Sequence, residues 1–171
     1  TYADNKVDGA EIGFQWLPAG YDADYSAFQA VELIGNTITN TDTGVYVQSG
    51  GAAFLEKNTI TGNTTGVRIG GPDESGLGVS NGRLVAPAGH TAGLEFNIIT
   101  GNTTGIRIDG TGIAPLNNND LSGNTGQAVV NNSSSAIDLT GNWWGTNLDA
   151  ASAIHYLKVC RECGDTPHAS C

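Results

Sequence analysis

The sequence contains no methionine and begins at Thr1. No signal-type segment leads it, so the simplest expectation is a mature, processed chain or a fragment of a larger one. Positive charge is scarce: seven Lys plus Arg stand against 17 Asp plus Glu, for a formal net charge of −10. That balance excludes a nucleic-acid partner, whose affinity comes from neutralised phosphates. It argues equally against anionic membrane surfaces. Apolar runs of about 18 residues or more are missing, so no transmembrane segment is expected. Cysteine is confined to Cys160, Cys163 and Cys171, all in the C-terminal tail. Charged residues of either sign make up only 14%. A chain of 171 residues can still bury a core as one domain.

Gly, Asn and Thr fill the gap, a composition that suits a secreted or cell-surface protein. Asn63, Asn102, Asn131 and Asn132 head N-x-S/T triplets, which would be glycan acceptors in a eukaryotic secretory host. In a chain this rich in Asn and Thr such triplets also arise by chance.

The same residues organise a repeat. Asn36, Asn58, Asn97, Asn119 and Asn142 are separated by 22, 39, 22 and 23 residues. One period of 22 with a 17-residue insertion accounts for the long step. Leu33, Leu55, Leu94, Leu116 and Leu139 stand three residues before each Asn, and Val31, Ala53, Ala92, Ala114 and Ile137 two before those. Ile38, Ile60, Ile99, Leu121 and Trp144 follow each Asn by two. Further apolar columns are expected at Val45, Val67, Ile106 and Ala128, then at Val47, Ile69, Ile108 and Val130. The apolar pairs lie two apart, which is the strand period and not the helical one. Gly and Asn separate them, as turns require. Gly44, Gly66 and Gly105 read as a second turn column, broken at Gln127. Each repeat is then three short strands and three turns, stabilised by stacking on its neighbours. An Asn side chain both donates and accepts, so stacked Asn residues form a ladder inside the turn.

The segments "LEKNTITGNTTGVRI", "LEFNIITGNTTGIRI", "LNNNDLSGNTGQAVV" and "LTGNWWGT" resemble the right-handed parallel β-helix repeats of the pectin-lyase-like superfamily. The resemblance covers 31–146 and implies an all-β, right-handed parallel β-helix, a solenoid of about five to six rungs. The superfamily hosts lyases, hydrolases, epimerases, tailspikes, adhesins and surface-layer proteins, so the resemblance implies a fold more than a function.

Three stretches fall outside the repeat. Residues 1–30 are the most aromatic and read either as one irregular rung or as a cover over the first edge. Residues 71–91 form the insertion, expected to project as a loop or hairpin after the Val67–Ile69 strand. Residues 147–171 are expected to hold a short helix over 147–158, with Asn147 as its N-cap, and then the Cys-containing tail.

Candidate chemistry is sparse. Arg68 and Arg107 point outward next to Val67 and Ile106, with Tyr46 in the same column. With Arg83 and His90 of the insertion they are candidates for binding an acidic glycan. The bland alternative is that Arg lies flat on the sheet, stacked on Tyr46 and neutralised by Asp109 or Asp42. "RID" at 107–109 is similar to the "RIK" of polygalacturonases but departs at its last residue. That family's paired-Asp segments and "GHG" are missing, as is the "WIDH"-like signature of pectate lyases. Asp22 and Asp24 are two acids that a Ca²⁺ ion would accept, too few for a site. The tail "CRECGDTPHASC" resembles a zinc knuckle with one short spacing, through Cys160, Cys163, His168 and Cys171. In a secreted chain a disulfide among Cys160, Cys163 and Cys171 is the competing outcome. No cofactor is required by anything in the sequence, with Ca²⁺ or Zn²⁺ the metals such sites would take.

The leading functional expectation is a non-catalytic extracellular structural or interaction protein, the subunit of a filament, sheath or surface layer that associates head to tail. The second is an enzyme acting on acidic polysaccharide along the outer face. The third is a periplasmic metal-handling protein using its Cys/His tail.

Overall fold

The computed structural model describes residues 1–16, 31–48, 51–71, 83–84, 86–90, 92–109, 113–133, 136–145 and 157–158. Three short strands recur in the regular rungs, one for each of three sheets, and every described pairing is parallel. Sheet A contains β1 (Tyr2–Ala3), β4 (Val31–Ile34), β7 (Ala52–Glu56), β10 (Arg83–Leu84), β11 (Leu94–Glu95) and β14 (Leu116–Asn117). Sheet B contains β2 (Lys6–Asp8), β5 (Thr37–Thr39), β8 (Thr59–Thr61) and β12 (Ile98–Thr100), extended by bridges from Ile98 to Asp120 and from Asp120 to Trp143. Sheet C contains β3 (Ile12–Trp16), β6 (Thr43–Val47), β9 (Thr65–Ile69), β13 (Thr104–Ile108), β15 (Gln127–Asn131) and β16 (Leu157–Lys158).

Inside, identical columns stack. Leu33, Leu55, Leu94 and Leu116 are in register in sheet A, and Ile38 and Ile99 flank Ile60 in sheet B. Val45, Val67, Ile106 and Val129 continue the core through sheet C, all at most 2% exposed.

Two turns hold the rung together, and both use the same device. A residue in the left-handed region precedes an inward-pointing amide. Between sheets A and B the left-handed residues are Asp4, Gly35, Lys57, Phe96, Asn118 and Gly141, with φ from 54° to 72°. The ladder that follows them begins at Asn5 and runs through Asn36, Asn58, Asn97, Asn119 and Asn142. Each Oδ1 accepts both the backbone N–H and the Nδ2 of the preceding rung, for example Asn36 N and Nδ2 to Asn58 Oδ1 at 2.9 and 3.0 Å. Asn5 Nδ2 donates in the same way to Asn36 Oδ1.

A second ladder runs between sheets B and C. Gly62, Gly101 and Gly123 are left-handed there, and Asn63, Asn102 and Asn124 follow them. Asn63 Nδ2 donates to Asn102 Oδ1 at 3.0 Å, and Asn102 Nδ2 to Asn124 Oδ1 at 3.1 Å. Thr41 heads this ladder with both its N–H and its hydroxyl on Asn63 Oδ1. Asn63 and Asn102 are buried, so neither is a surface glycan acceptor. A glycan on either Nδ2 would remove a ladder donor and split the rungs.

Several expectations change. Gly44, Gly66 and Gly105 lie in strands, not in a turn. A Cβ on Gly66 would stand 2.6 Å from Gly105 O and 3.1 Å from Asn102 Nδ2, so these glycines make room for backbone and ladder. Ala128 occupies the next place in that column, because one extra residue enters before it. Gly126 and Gln127 both donate to Thr103 O, at 2.9 and 3.2 Å, which is the two-against-one pairing of a β-bulge. Val129 therefore faces Ile106 in the core, and Val130 turns outward opposite Arg107.

Residues 1–16 form a regular rung. Phe14 and Trp16 pair with Val45 and Val47, and Val7 with Ile38. The insertion does not simply project. Arg83–Leu84 re-enters sheet A beside Ala52–Ala53, and the fully buried Leu84 takes the place next to Ala53 that the repeat reserved for Ala92. Leu157–Lys158 is a strand paired with Val129–Val130, not the end of a helix. The rest of the expected helix lies outside the described residues.

Candidate interaction face

Sheet C turns one outward residue per rung to its outer face. Gln15, Tyr46, Arg68, Arg107 and Val130 occupy successive positions. The in-register stack places consecutive positions about 4.8 Å apart, so the candidates Tyr46, Arg68 and Arg107 do share one strip. Arg68 lies over the Tyr46 ring, with its guanidinium carbon 4.9 Å from the centroid. Tyr46 is buried beneath it.

Asp109, just past the end of β13, draws the strip together. Arg107 Nε donates to Asp109 Oδ2 at 2.9 Å and to Oδ1 at 3.2 Å. Asn132 Nδ2 donates to Oδ1 at 2.7 Å. Arg68 Nε, shielded from solvent, faces Asp109 Oδ2 at 3.5 Å without a hydrogen bond. Burial pushes the Asp109 carboxyl up, but hydrogen bonds from Asn132 and Arg107 and the charges of Arg107 and Arg68 outweigh it. Its pKa lies below the ordinary carboxylate value. The chain leaving β9 crosses the strip: Gly71 has φ 145°, and a Cβ there would be 2.6 Å from Arg68 Nη2. Arg107 is the more open of the two cations, with 46% of its side chain exposed against 27% for Arg68.

The insertion residues do not join this strip. Arg83 belongs to sheet A. His90 folds back over the outer face of the same sheet, where its ring meets Phe54 at a centroid distance of 4.5 Å and 57°. Its Nδ1 is bonded to Glu95 Oε1. That cover explains why Phe54, an outward residue of β7, is only 1% exposed. The five glycan-binding candidates are thus split between two faces.

The structure also aligns a pair that is not among the candidates drawn from the sequence. Glu56 and Glu95 are in register on adjacent strands of sheet A, each two residues before a ladder Asn. Their shared offset in "LEKN" and "LEFN" was the available signal. Both are occupied, Glu56 by Lys57 and Glu95 by His90.

Cys160, Cys163, His168 and Cys171 lie outside the described residues, as do Asp22 and Asp24. Among the described residues no three His, Cys, Asp or Glu side chains converge on a metal-sized site, and no helix is long and apolar enough to cross a membrane.

Neither a curated protein nor a solved structure matches the chain. A family model described as a right-handed β-helix region matches residues 24–156, which is more than half of the sequence and includes the ladder from Asn36 to Asn142. The chain belongs to the right-handed β-helix family.

Proposed function

We propose that the protein is a non-catalytic structural and interaction module, an extracellular β-helix that builds a filament, sheath or surface layer. The observation that carries this reading is that four described outer-face cations each lie against an acid of the same chain. Arg68 and Arg107 are engaged by Asp109, His90 by Glu95 and Lys57 by Glu56. Groups tied to one another in this way brace a scaffold, whereas catalytic acids and bases need to reach a substrate. The proposed self-association is end to end, by addition of rungs. In the first rung Val7, Phe14 and Trp16 are only partly buried, while Ile38, Val45 and Val47 beneath them are at most 2% exposed. A cavity of about 230 Å³ lined by Phe14, Trp16, Val31, Val45 and Val47 opens at this level, and a further rung would fill it.

Sedimentation velocity over a wide concentration range, with and without reductant, tests the proposal. Large species that grow with concentration are expected. A single monomer boundary throughout, together with turnover of a uronate polymer, would replace it with the enzyme reading. In that reading the exposed Arg107 binds the sugar acid, and Arg107→Ala abolishes the turnover.

A further inference from the structure

The outer face of sheet B changes character along the axis. Lys6, Thr37, Thr59, Ile98, Asp120 and Trp143 follow one another rung by rung. Threonine at the second and third rungs suits a half-buried strand face. Beyond them the fold demands nothing apolar, yet Ile98 is 47% and Trp143 54% exposed. Phe96, at the corner two residues before Ile98, is 52% exposed and has φ 56°. A bulky side chain is disfavoured in that backbone region, where other rungs place Asp4, Gly35, Lys57, Asn118 and Gly141, none of them aromatic. A strained, solvent-facing aromatic beside two exposed apolar residues is a departure that packing does not explain.

Asp120 stands between Ile98 and Trp143 and is half-buried. Its Oδ1 accepts from Ser122 N at 3.0 Å and Ser122 Oγ at 2.6 Å. Its other oxygen makes no hydrogen bond among the described residues. The column is therefore a carboxylate acceptor flanked, at about 4.8 Å on either side, by an aliphatic and an indole side chain.

We propose that this column docks a basic partner protein through a Lys or Arg side chain set between apolar neighbours. The carboxylate takes the cation, the Trp143 face adds cation–π attraction, and Ile98 with Phe96 takes the flanking apolar groups. A wholly apolar occupant would strip water from Asp120 without replacing it. An anionic partner would meet that carboxylate and a chain of net charge −10, whereas a basic one is steered by both. A second copy packed about a two-fold axis at Asp120 would set one Asp120 against the other.

The test uses the full chain and a fluorescently labelled hexapeptide of alternating Leu and Lys, with a Leu/Glu peptide as comparison, read by anisotropy. The Leu/Lys peptide binds and the Leu/Glu peptide does not. Asp120→Asn and Trp143→Ala each weaken binding about tenfold. Asp138→Asn, which removes an exposed acid outside this column, leaves binding within about twofold, as for a charge that is screened and not in contact. Equal losses from Asp138→Asn and Asp120→Asn would reduce the effect to net charge and overturn the proposal. So would equal binding of the Leu/Glu peptide, or self-association of the unliganded chain that Trp143→Ala abolishes, since the occupant is then a second copy.

Discussion

A ladder amide cannot be removed from one rung without orphaning groups in the next. Asn102 Oδ1 is the acceptor for Asn63 N and Nδ2 at 2.9 and 3.0 Å, and its own Nδ2 donates to Ile60 O and Asn124 Oδ1. Asn102→Ala leaves several of these buried groups unpaired, at about 1–3 kcal/mol each. The expected loss is about 3–5 kcal/mol, read from a urea titration. Phe96→Asn works in the opposite direction. Asn tolerates φ near 56°, so the variant gains about 0.5–1 kcal/mol of stability while weakening the Leu/Lys peptide.

Asp109 gives a pH signature. Its folded pKa lies below the ordinary carboxylate value, so the stabilisation it supplies is fully present above the unfolded pKa and is lost as pH falls through the folded one. The gap in Tm between wild type and Asp109→Asn is expected to be constant from neutral pH to about pH 5 and to shrink below the ordinary carboxylate range. A gap that widens on acidification would contradict the assigned partners. At this scale the first Asn column was legible, because one side chain had to recur at one position. The second was not: Thr41 replaces Asn at one of its rungs, and "GNTT" also reads as a sequon.

Strand periodicity fixes the inward face of an element only while its register is known. The apolar pairs of sheet C predicted β6, β9 and β13 correctly, since three consecutive rungs carry "TGV" or "TGI" at the same offset. They misplaced β15 by one residue, because the bulge at Gly126 is a backbone event whose only trace is one additional letter. Deleting Gly126 would align Gln127 to Asn131 with Thr104 to Ile108 without a bulge. That variant is expected to match or exceed the wild-type urea midpoint. Deleting Thr104 instead would turn every β13 side chain to the wrong face and is expected to abolish cooperative unfolding. The first rung was legible in principle: Asn5, Val7, Phe14 and Trp16 keep the offsets of Asn36, Ile38, Val45 and Val47. The 31-residue step to Asn36 hid them. Leu84 left no such trace, since it enters sheet A alone from an insertion with no repeat of its own.

At the scale of the molecule, each rung touches only its neighbours, and stability accumulates along one axis. Such a scaffold leaves function to its faces and ends. On sheet C, Arg68 and Arg107 share Asp109, one of the two neutralising acids that the sequence suggested, and the stack brings both Arg residues to it. Sheet A is covered by His90 over Phe54. Sheet B exposes the Ile98–Asp120–Trp143 column, which leaves no trace in the repeat because its outward residues differ from rung to rung. The structural role proposed for the whole chain is tested most directly by electron microscopy of the purified protein over a range of concentrations and Ca²⁺ levels. Filaments or sheets are expected, in which rungs stack along the long axis with the roughly 4.8 Å strand repeat. Monodisperse particles of single-chain size under every condition would contradict it.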